Sequence, residues 1–515
     1  MRHSMREMGP GAQEAFDRKR KSLGIVLGPL LALAILACPI AGLQRDAHML
    51  LAIMALVCTW WITEPIPIPV TSLLGPVLCV VSGVSSAPSA LASFANPMIF
   101  LFMGGFMLAA AMTRHGLDRR FAYALLSTKW VGSNPRRIFL TIGVATALCS
   151  GWISNTATAA MMLPIALGLL DALREMFAAN GRAIDLKTYK YATGLMLITA
   201  YSASIGGVLT PIGTPPNLIM VGFLETMANV HISFFEWMVW GFAAMAAYFA
   251  IAVFVVYRMF PADVTSIEGA DAIIARRRAE LGPWTQGQRN ALLAFAVAVA
   301  LWIAPGLLSL IFGSESSQVS ICNALFPESV AALIAALMLF FLPTKDERGA
   351  RVPTLPWKDA VEGVDWGTLI LFGGGLSLGS MMYATGLSEW VGASIVGMLG
   401  GAPTEVAITA TFCVLALLMS ELTSHTAATN MVGPLAITTA IAAGMSPVPV
   451  AVGVALSASL GFMLPVSTPP NAIVYASGYI PITKMIKAGF VIDLVGIAAV
   501  TIPLVLLVVS VVVAL

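Results

Sequence analysis

Residues 154–159 read SNTATA and residues 424–429 read SHTAAT, the second stretch beginning 270 positions after the first. Each puts a Ser, an amide or imidazole, and a Thr inside an apolar run. Ser and Thr hydroxyls and the Asn155 amide offer donors to an anion, and carbonyl or hydroxyl oxygens to a small cation. Two further interruptions, TPIGTPPN at 210–217 and LPVSTPPN at 464–471, agree at five of eight positions at an offset of 254. Proline lacks a backbone N–H and clashes with the preceding turn, so each double proline breaks a helix. The chemistry on offer is ion capture.

Such residues need a frame, and composition limits what it can be. The chain has 515 residues, 58% hydrophobic and only 10% charged, with a mean hydropathy of +0.88. No soluble domain of ordinary size buries that much apolar surface, which implies an all-α polytopic membrane protein. The six cysteines show no paired spacing, and five lie in apolar stretches, so neither a disulfide framework nor a metal centre is expected. RKRK at 18–21 precedes an apolar run that reads as a first transmembrane helix, because many long apolar runs follow it.

A span needs about 20 apolar residues. Spans are expected at 23–43, 49–64, 66–84, 97–114, 191–230, 235–258, 290–313, 326–343, 367–384, 447–480 and 488–513. Two more apolar segments, about 138–172 and 405–445, carry the SNT and SHT interruptions and read as re-entrant hairpins, leaving about 11 crossings. Charge sorting tests this layout, since cytoplasmic loops collect Lys and Arg. It places 27 of the 28 basic residues on one side and only Arg45 on the other. Counting either hairpin as a crossing would destroy that sorting. The N-terminus is therefore expected in the cytoplasm and the C-terminus outside it, across the plasma (inner) membrane.

The repeat extends beyond the hairpins. LFMGGFMLAAAMTRHGL at 101–117 matches LFGGGLSLGSMMYATGL at 371–387 in eight of 17 positions, again at offset 270. Ser150 falls on Ser420 and Pro164 on Pro434. A basic loop follows the first copy and a loop without basic residues the second, so the copies cross in opposite directions. That is an inverted-topology repeat, recurrent in secondary transporters. Non-helical backbone at membrane depth survives only where it lines protein or a water-filled cavity. Helix N-termini at the hairpin tips and beyond the double prolines favour negative charge. Four of them would hold an anion without a buried cation, and no Lys or Arg occurs in 138–170 or 405–445. Carbonyls freed at the breaks suit Na⁺. Two mirrored polar tips suit a small dianion charged at each end, so a C4 dicarboxylate such as succinate, malate or fumarate is expected.

With these residues in view, the chain resembles the divalent-anion/sodium symporters, carriers of dicarboxylates, citrate and sulfate, over about residues 20–513. The resemblance rests on SNT at 154–156, SHT at 424–426 and the two TPPN breaks in inverted register. It implies substrate contacts from Ser154, Asn155, Thr156, Thr214, Ser424, His425, Thr426, Thr468 and Pro469. It further implies one sodium site from Ser150, Ser154, Asn155 and Gly213, and a second from Ser420, Thr423, His425 and Ser467. It implies a homodimer in which a transport domain slides past a scaffold as an elevator, importing its anion by sodium symport. In that division 1–22 is a cytoplasmic tail, and 23–95 and 235–343 form the scaffold, the latter with a basic loop at 258–289. Residues 96–230 and 365–513 are the two transport repeats, with hairpins at 138–172 and 405–445 and broken helices at 191–230 and 447–480. Sodium-independent relatives carry Arg and His two residues after the motif threonines. Here those positions are Thr158 and Ala428, which favours sodium coupling over exchange.

His425 departs from the pattern, where Asn is usual. Imidazole offers nitrogen, whereas Na⁺ prefers oxygen, and it titrates near neutrality. Either fewer coupled sodium ions or a transport rate that changes between roughly pH 5.5 and 7.5 is expected. Asn217 and Asn471 read equally as caps of the next short helix and as ligand support. Glu421 is a functional candidate by its place in a hairpin, or a structural hydrogen-bonding group. Asp493 enters a last span read as peripheral and receives no role. His48, His115 and His231 sit at span ends or in loops and read as solvated. The RRR of 276–278 reads as part of an amphipathic surface helix. GLSLG at 375–379 fits a nucleophile elbow, but it lies in a helical span and its repeat copy lacks the Ser, so an enzyme is not indicated. No soluble segment is large enough for a nucleotide domain, which excludes ATP-driven transport, and nothing points to nucleic acid. A sodium/proton antiporter would need an intramembrane Asp at the crossing, which both tips and both breaks lack.

Overall fold

The computed structural model describes residues 10–346 and 348–512. Their regular elements are helices, apart from a short antiparallel ribbon that pairs Pro343–Lys345 with Arg351–Pro353. Among the described residues, nine helices are long and apolar enough to cross a membrane. The pair Ser317–Leu325 and Glu328–Phe341, bent by 53°, makes a tenth if read as one span. Phe254, Leu310 and Phe341 are each more than 70% exposed. Rings and branched side chains at that exposure match lipid tails, which are as apolar as they are.

The repeat is written into the helix starts. Helices begin at Leu117 and Leu387, at Pro135 and Glu405, and at Asn155 and His425, each pair 270 residues apart. Their caps correspond too. Gly116 and Gly386 enter their helices at positive φ, 66° and 74°, a conformation glycine adopts without steric cost. Asn134 and Thr404 cap the outer hairpin helices, and Ser154 and Ser424 the inner ones.

Two compact units result. Among the described residues, one comprises those up to 96 together with 219–231 and 366–458; the other comprises those of 97–218 and 232–365 and those from 459 on. The first therefore contains the second hairpin, Glu405–Leu422 and His425–Ala442. The second contains the first hairpin, Pro135–Ser150 and Asn155–Ala179, together with both unwound segments. Small residues set the close approaches inside each. A Cβ on Gly104 would meet the Ala332 backbone at 2.9 Å, and one on Gly374 the Ser72 carbonyl at 2.4 Å.

Some expectations from the sequence are corrected. Residues 317–325, which lie between the spans expected at 290–313 and 326–343, form a helix; Pro327, which has no N–H, separates it from the span that follows. The basic segment is helical over Ala270–Glu280 but buries only Ala270 and Ile274, so it is not amphipathic. Arg276 and Arg277 instead both bond Glu280 one turn on, at 3.2 Å. His48 and His115 are half-buried and bond the carbonyls of Ile35 (2.7 Å) and Thr354 (2.8 Å), whereas His231 is exposed.

Candidate functional site

At the first hairpin, the helix from Pro135 stops at Ser150 and Gly151–Ile153 reverse the chain. Ser154 caps the returning helix, its Oγ accepting from the Ala157 N–H at 3.2 Å. A capping Ser leaves the remaining first-turn amides facing outward. Thr156, in that turn, is exposed, while Asn155 is half-buried. Ser150 Oγ lies 2.7 Å from Asn155 Oδ1 and 2.6 Å from the Ala203 carbonyl. A Cβ on Gly207 would meet Asn155 Oδ1 at 2.5 Å. On Gly213 it would meet the Gly207 carbonyl at 2.5 Å and the Gly151 carbonyl at 3.0 Å. Ser150, Asn155, Gly207 and Gly213 are thus one contiguous set, with Ser154 beside it as the cap.

The second hairpin repeats the plan in its own unit. Ser424 Oγ caps its helix by accepting from the Ala427 N–H at 3.2 Å. Thr423 is buried and Thr426 half-buried. Ser420 Oγ donates to the Ala458 carbonyl at 2.7 Å and lies 2.9 Å from His425 Nδ1, which itself abuts that carbonyl. A serine, the middle residue of the motif and a helix carbonyl, Ser150, Asn155 and Ala203 in the first hairpin, therefore recur as Ser420, His425 and Ala458. Glu421 is buried within the same hairpin.

Both unwound segments are tied by the asparagine that follows the double proline. Asn217 Nδ2 donates to the carbonyls of Gly207 (3.0 Å) and Thr210 (2.8 Å). Asn471 Nδ2 donates to those of Gly461 (2.9 Å) and Leu464 (3.0 Å). The carbonyls stand ten and seven residues upstream in both copies. Capping belongs to Thr468 instead, whose Oγ1 accepts from the Asn471 N–H at 3.2 Å. Thr214, Ser467 and Thr468 are buried in these segments, and Pro469 is exposed. The helix Pro469–Tyr475 packs on the first hairpin's inner helix and on Lys190–Gly207. It has only seven residues, too few for the helix N-terminus expected there.

Sequence reasoning missed Asp493. It is 1% exposed, and its Oδ2 accepts from the Phe462 N–H at 3.4 Å. A Cβ on Gly489, one turn earlier, would lie 2.3 Å from the Phe462 carbonyl. Tyr201 donates to that same carbonyl at 2.9 Å. The last span is consequently pressed onto the second unwound segment rather than peripheral. An acid within an apolar span was the available signal. A π-helical turn, Ile497–Thr501, follows it.

Residues 19–512 match the transmembrane region of the sodium:sulfate symporters. A sodium-dependent dicarboxylate transporter, SdcS, of Staphylococcus saprophyticus is 34% identical over 481 residues, covering 93% of this chain and 89% of that protein. SdcS of Staphylococcus aureus strain USA300 is 34% identical over 477 residues, covering 92% and 88%. Among solved structures, the YdaH transporter of Alcanivorax borkumensis aligns with a TM-score of 0.55 at 14% identity, over 90% of this chain and 98% of that one. That last likeness concerns the fold alone.

Proposed function

The chain belongs to the sodium:sulfate symporter family, and from that premise we propose that it imports a C4 dicarboxylate together with sodium. It is a multi-pass membrane transporter with Na⁺ as coupling ion, not an enzyme. The observation that carries the cargo is the pair of hairpins, each with a Ser-capped helix N-terminus at its tip followed by Thr156 or Thr426, and with no Lys or Arg in 138–170 or 405–445. Two such ends, related by the repeat, suit two carboxylates of one small molecule. The relatives called sodium-dependent dicarboxylate transporters support the same reading.

In this reading Ser154, Asn155, Thr156, Thr214, Ser424, His425, Thr426, Thr468 and Pro469 surround the substrate. Thr156 and Thr426 donate to its carboxylates. Ser150, Ser154, Asn155 and Gly213 hold sodium. The protein works as a homodimer whose hairpins and broken helices move as an elevator against helices of 23–95 and 235–343, with the N-terminus cytoplasmic. Sodium-independent exchange is the second reading, but the oxygen-rich set around Ser150 favours a cation.

Proteoliposomes with an inward sodium gradient should accumulate labelled succinate, with citrate and sulfate competing weakly. Thr156→Val and Thr426→Val should each weaken uptake about 10- to 100-fold, since a hydrogen bond to a charged group contributes about 1.5–3 kcal/mol. Proton flux in exchange for sodium without any organic anion would overturn symport. Normal uptake in both valine variants would remove those hydroxyls from the site. Cross-links between hairpin and scaffold should trap two depths, each inactive; a single trappable depth would sink the elevator.

A further inference from the structure

The two hairpins solve the same hydrogen-bonding problem differently. In the first, the Ser150 hydroxyl has one proton and two oxygen neighbours, Asn155 Oδ1 at 2.7 Å and the Ala203 carbonyl at 2.6 Å. One of these short contacts has no hydrogen in it. Lone pairs forced together in that way are relieved by a hard cation, which takes oxygen ligands. The carbonyls of Gly207 and Gly151, crowding Gly213, add oxygens to the same neighbourhood.

In the second hairpin an imidazole stands where the first has an amide oxygen. His425 Nδ1 faces the Ala458 carbonyl, and a carbonyl can only accept, so Nδ1 carries the proton. Ala458 ends its helix, which leaves its carbonyl without an intrahelical donor. It receives two donors instead, the Ser420 hydroxyl and the His425 N–H. Both lone pairs of that carbonyl are then taken, and an N–H points where a cation would have to sit. The other ring nitrogen, Nε2, is buried without a hydrogen-bond partner among the described residues. It is therefore one more buried lone pair, and a nitrogen one.

We propose that only the first hairpin holds a sodium ion, and that His425, by donating to Ala458, closes the equivalent place in the second. One Na⁺ then accompanies each anion. With a dianion the cycle carries one net negative charge inward, so an inside-negative membrane potential opposes uptake. His425→Asn restores the Ser–Asn–carbonyl oxygen set of the first hairpin and opens a second sodium place. Two Na⁺ per dianion make the cycle electroneutral. This inference rests on the sodium-coupled reading above, but not on which anion is carried.

The test is equilibrium binding of ²²Na⁺ to the purified full-length chain, with uptake measured under clamped potentials in proteoliposomes. The wild type should bind one saturable sodium per chain, show a Hill coefficient near one for sodium, and take up succinate several-fold more slowly under an inside-negative potential. His425→Asn should bind two, activate more steeply and lose that sensitivity to potential. Two or more saturable ions in the wild type, or an unchanged count in a folded His425→Asn protein, overturns the proposal. Should that variant not fold, Ser150→Ala decides: it should abolish saturable sodium binding, and an ion remaining bound overturns the single-site assignment. Absence of any saturable sodium in the wild type would instead defeat sodium coupling itself, which keeps the two failures distinct.

Discussion

Asn217→Asp and Asn471→Asp should each lower sodium-driven uptake by roughly 30-fold or more and lower the melting temperature of the purified protein. Aspartate keeps the shape and caps a helix as well as asparagine does. It cannot donate. Each asparagine gives both Nδ2 hydrogens to carbonyls released by unwinding, at Gly207 and Thr210 or at Gly461 and Leu464. Inside the protein at membrane depth no bulk water replaces those donors. Orphaning a buried acceptor costs about 1–3 kcal/mol, so two per residue cost about 2–6 kcal/mol. A carboxylate set against two carbonyls adds repulsion to that loss. Melting curves and uptake of the two variants, with Asn→Ala alongside, settle the point. Should the aspartate variants transport within twofold of wild type, the asparagines are caps after all and the clamp is not what shapes the breaks.

This clamp also marks where sequence reading ran out. TPPN showed that each helix breaks, because the defect of proline is local and carried by the residue itself. What Asn217 does afterwards depends on carbonyls ten and seven residues upstream, and no periodicity encodes that distance. The hairpins were legible for the same local reason: Ser154 and Ser424 are capping residues placed before apolar runs, and their helices start 270 residues apart as the motifs do. The tertiary partners were not legible. Ala203 and Ala458 contribute through backbone carbonyls, and alanine carries no signal that its carbonyl meets Ser150 or Ser420. Asp493 receives no role from the sequence, because hydropathy does not tell a lipid-facing helix from one pressed onto an unwound segment. His425 is legible as a departure from the family pattern, where Asn is usual. Its consequence required knowing that Nδ1 meets a helix-terminal carbonyl.

The second large effect is expected at a glycine. Gly206 lies in the last turn of Lys190–Gly207, against the first hairpin's outer helix. A Cβ there would lie 2.1 Å from the Ala147 carbonyl oxygen, 2.6 Å from its Cα and 2.7 Å from its carbonyl carbon. All three are backbone atoms, so no rotamer change clears the clash and the helices must part. Separation would draw the Ala203 carbonyl away from Ser150 and Gly207 away from Asn155, the contacts that gather the oxygens proposed above to hold sodium. Overpacking against side chains costs about 1–3 kcal/mol; against immovable backbone the upper end or beyond applies. Gly206→Ala should therefore lower the melting temperature sharply and weaken sodium binding in the protein that does fold. Gly168→Ala provides the control. It lies within the helix Asn155–Ala179 with open space where a Cβ would go, and alanine exceeds glycine in helix propensity by about 1 kcal/mol. That variant should melt at or above the wild-type temperature with sodium affinity unchanged. Equal melting temperatures for the two variants would mean that the hairpin and helix are not held at backbone contact, and that the oxygen set around Ser150 does not depend on their approach.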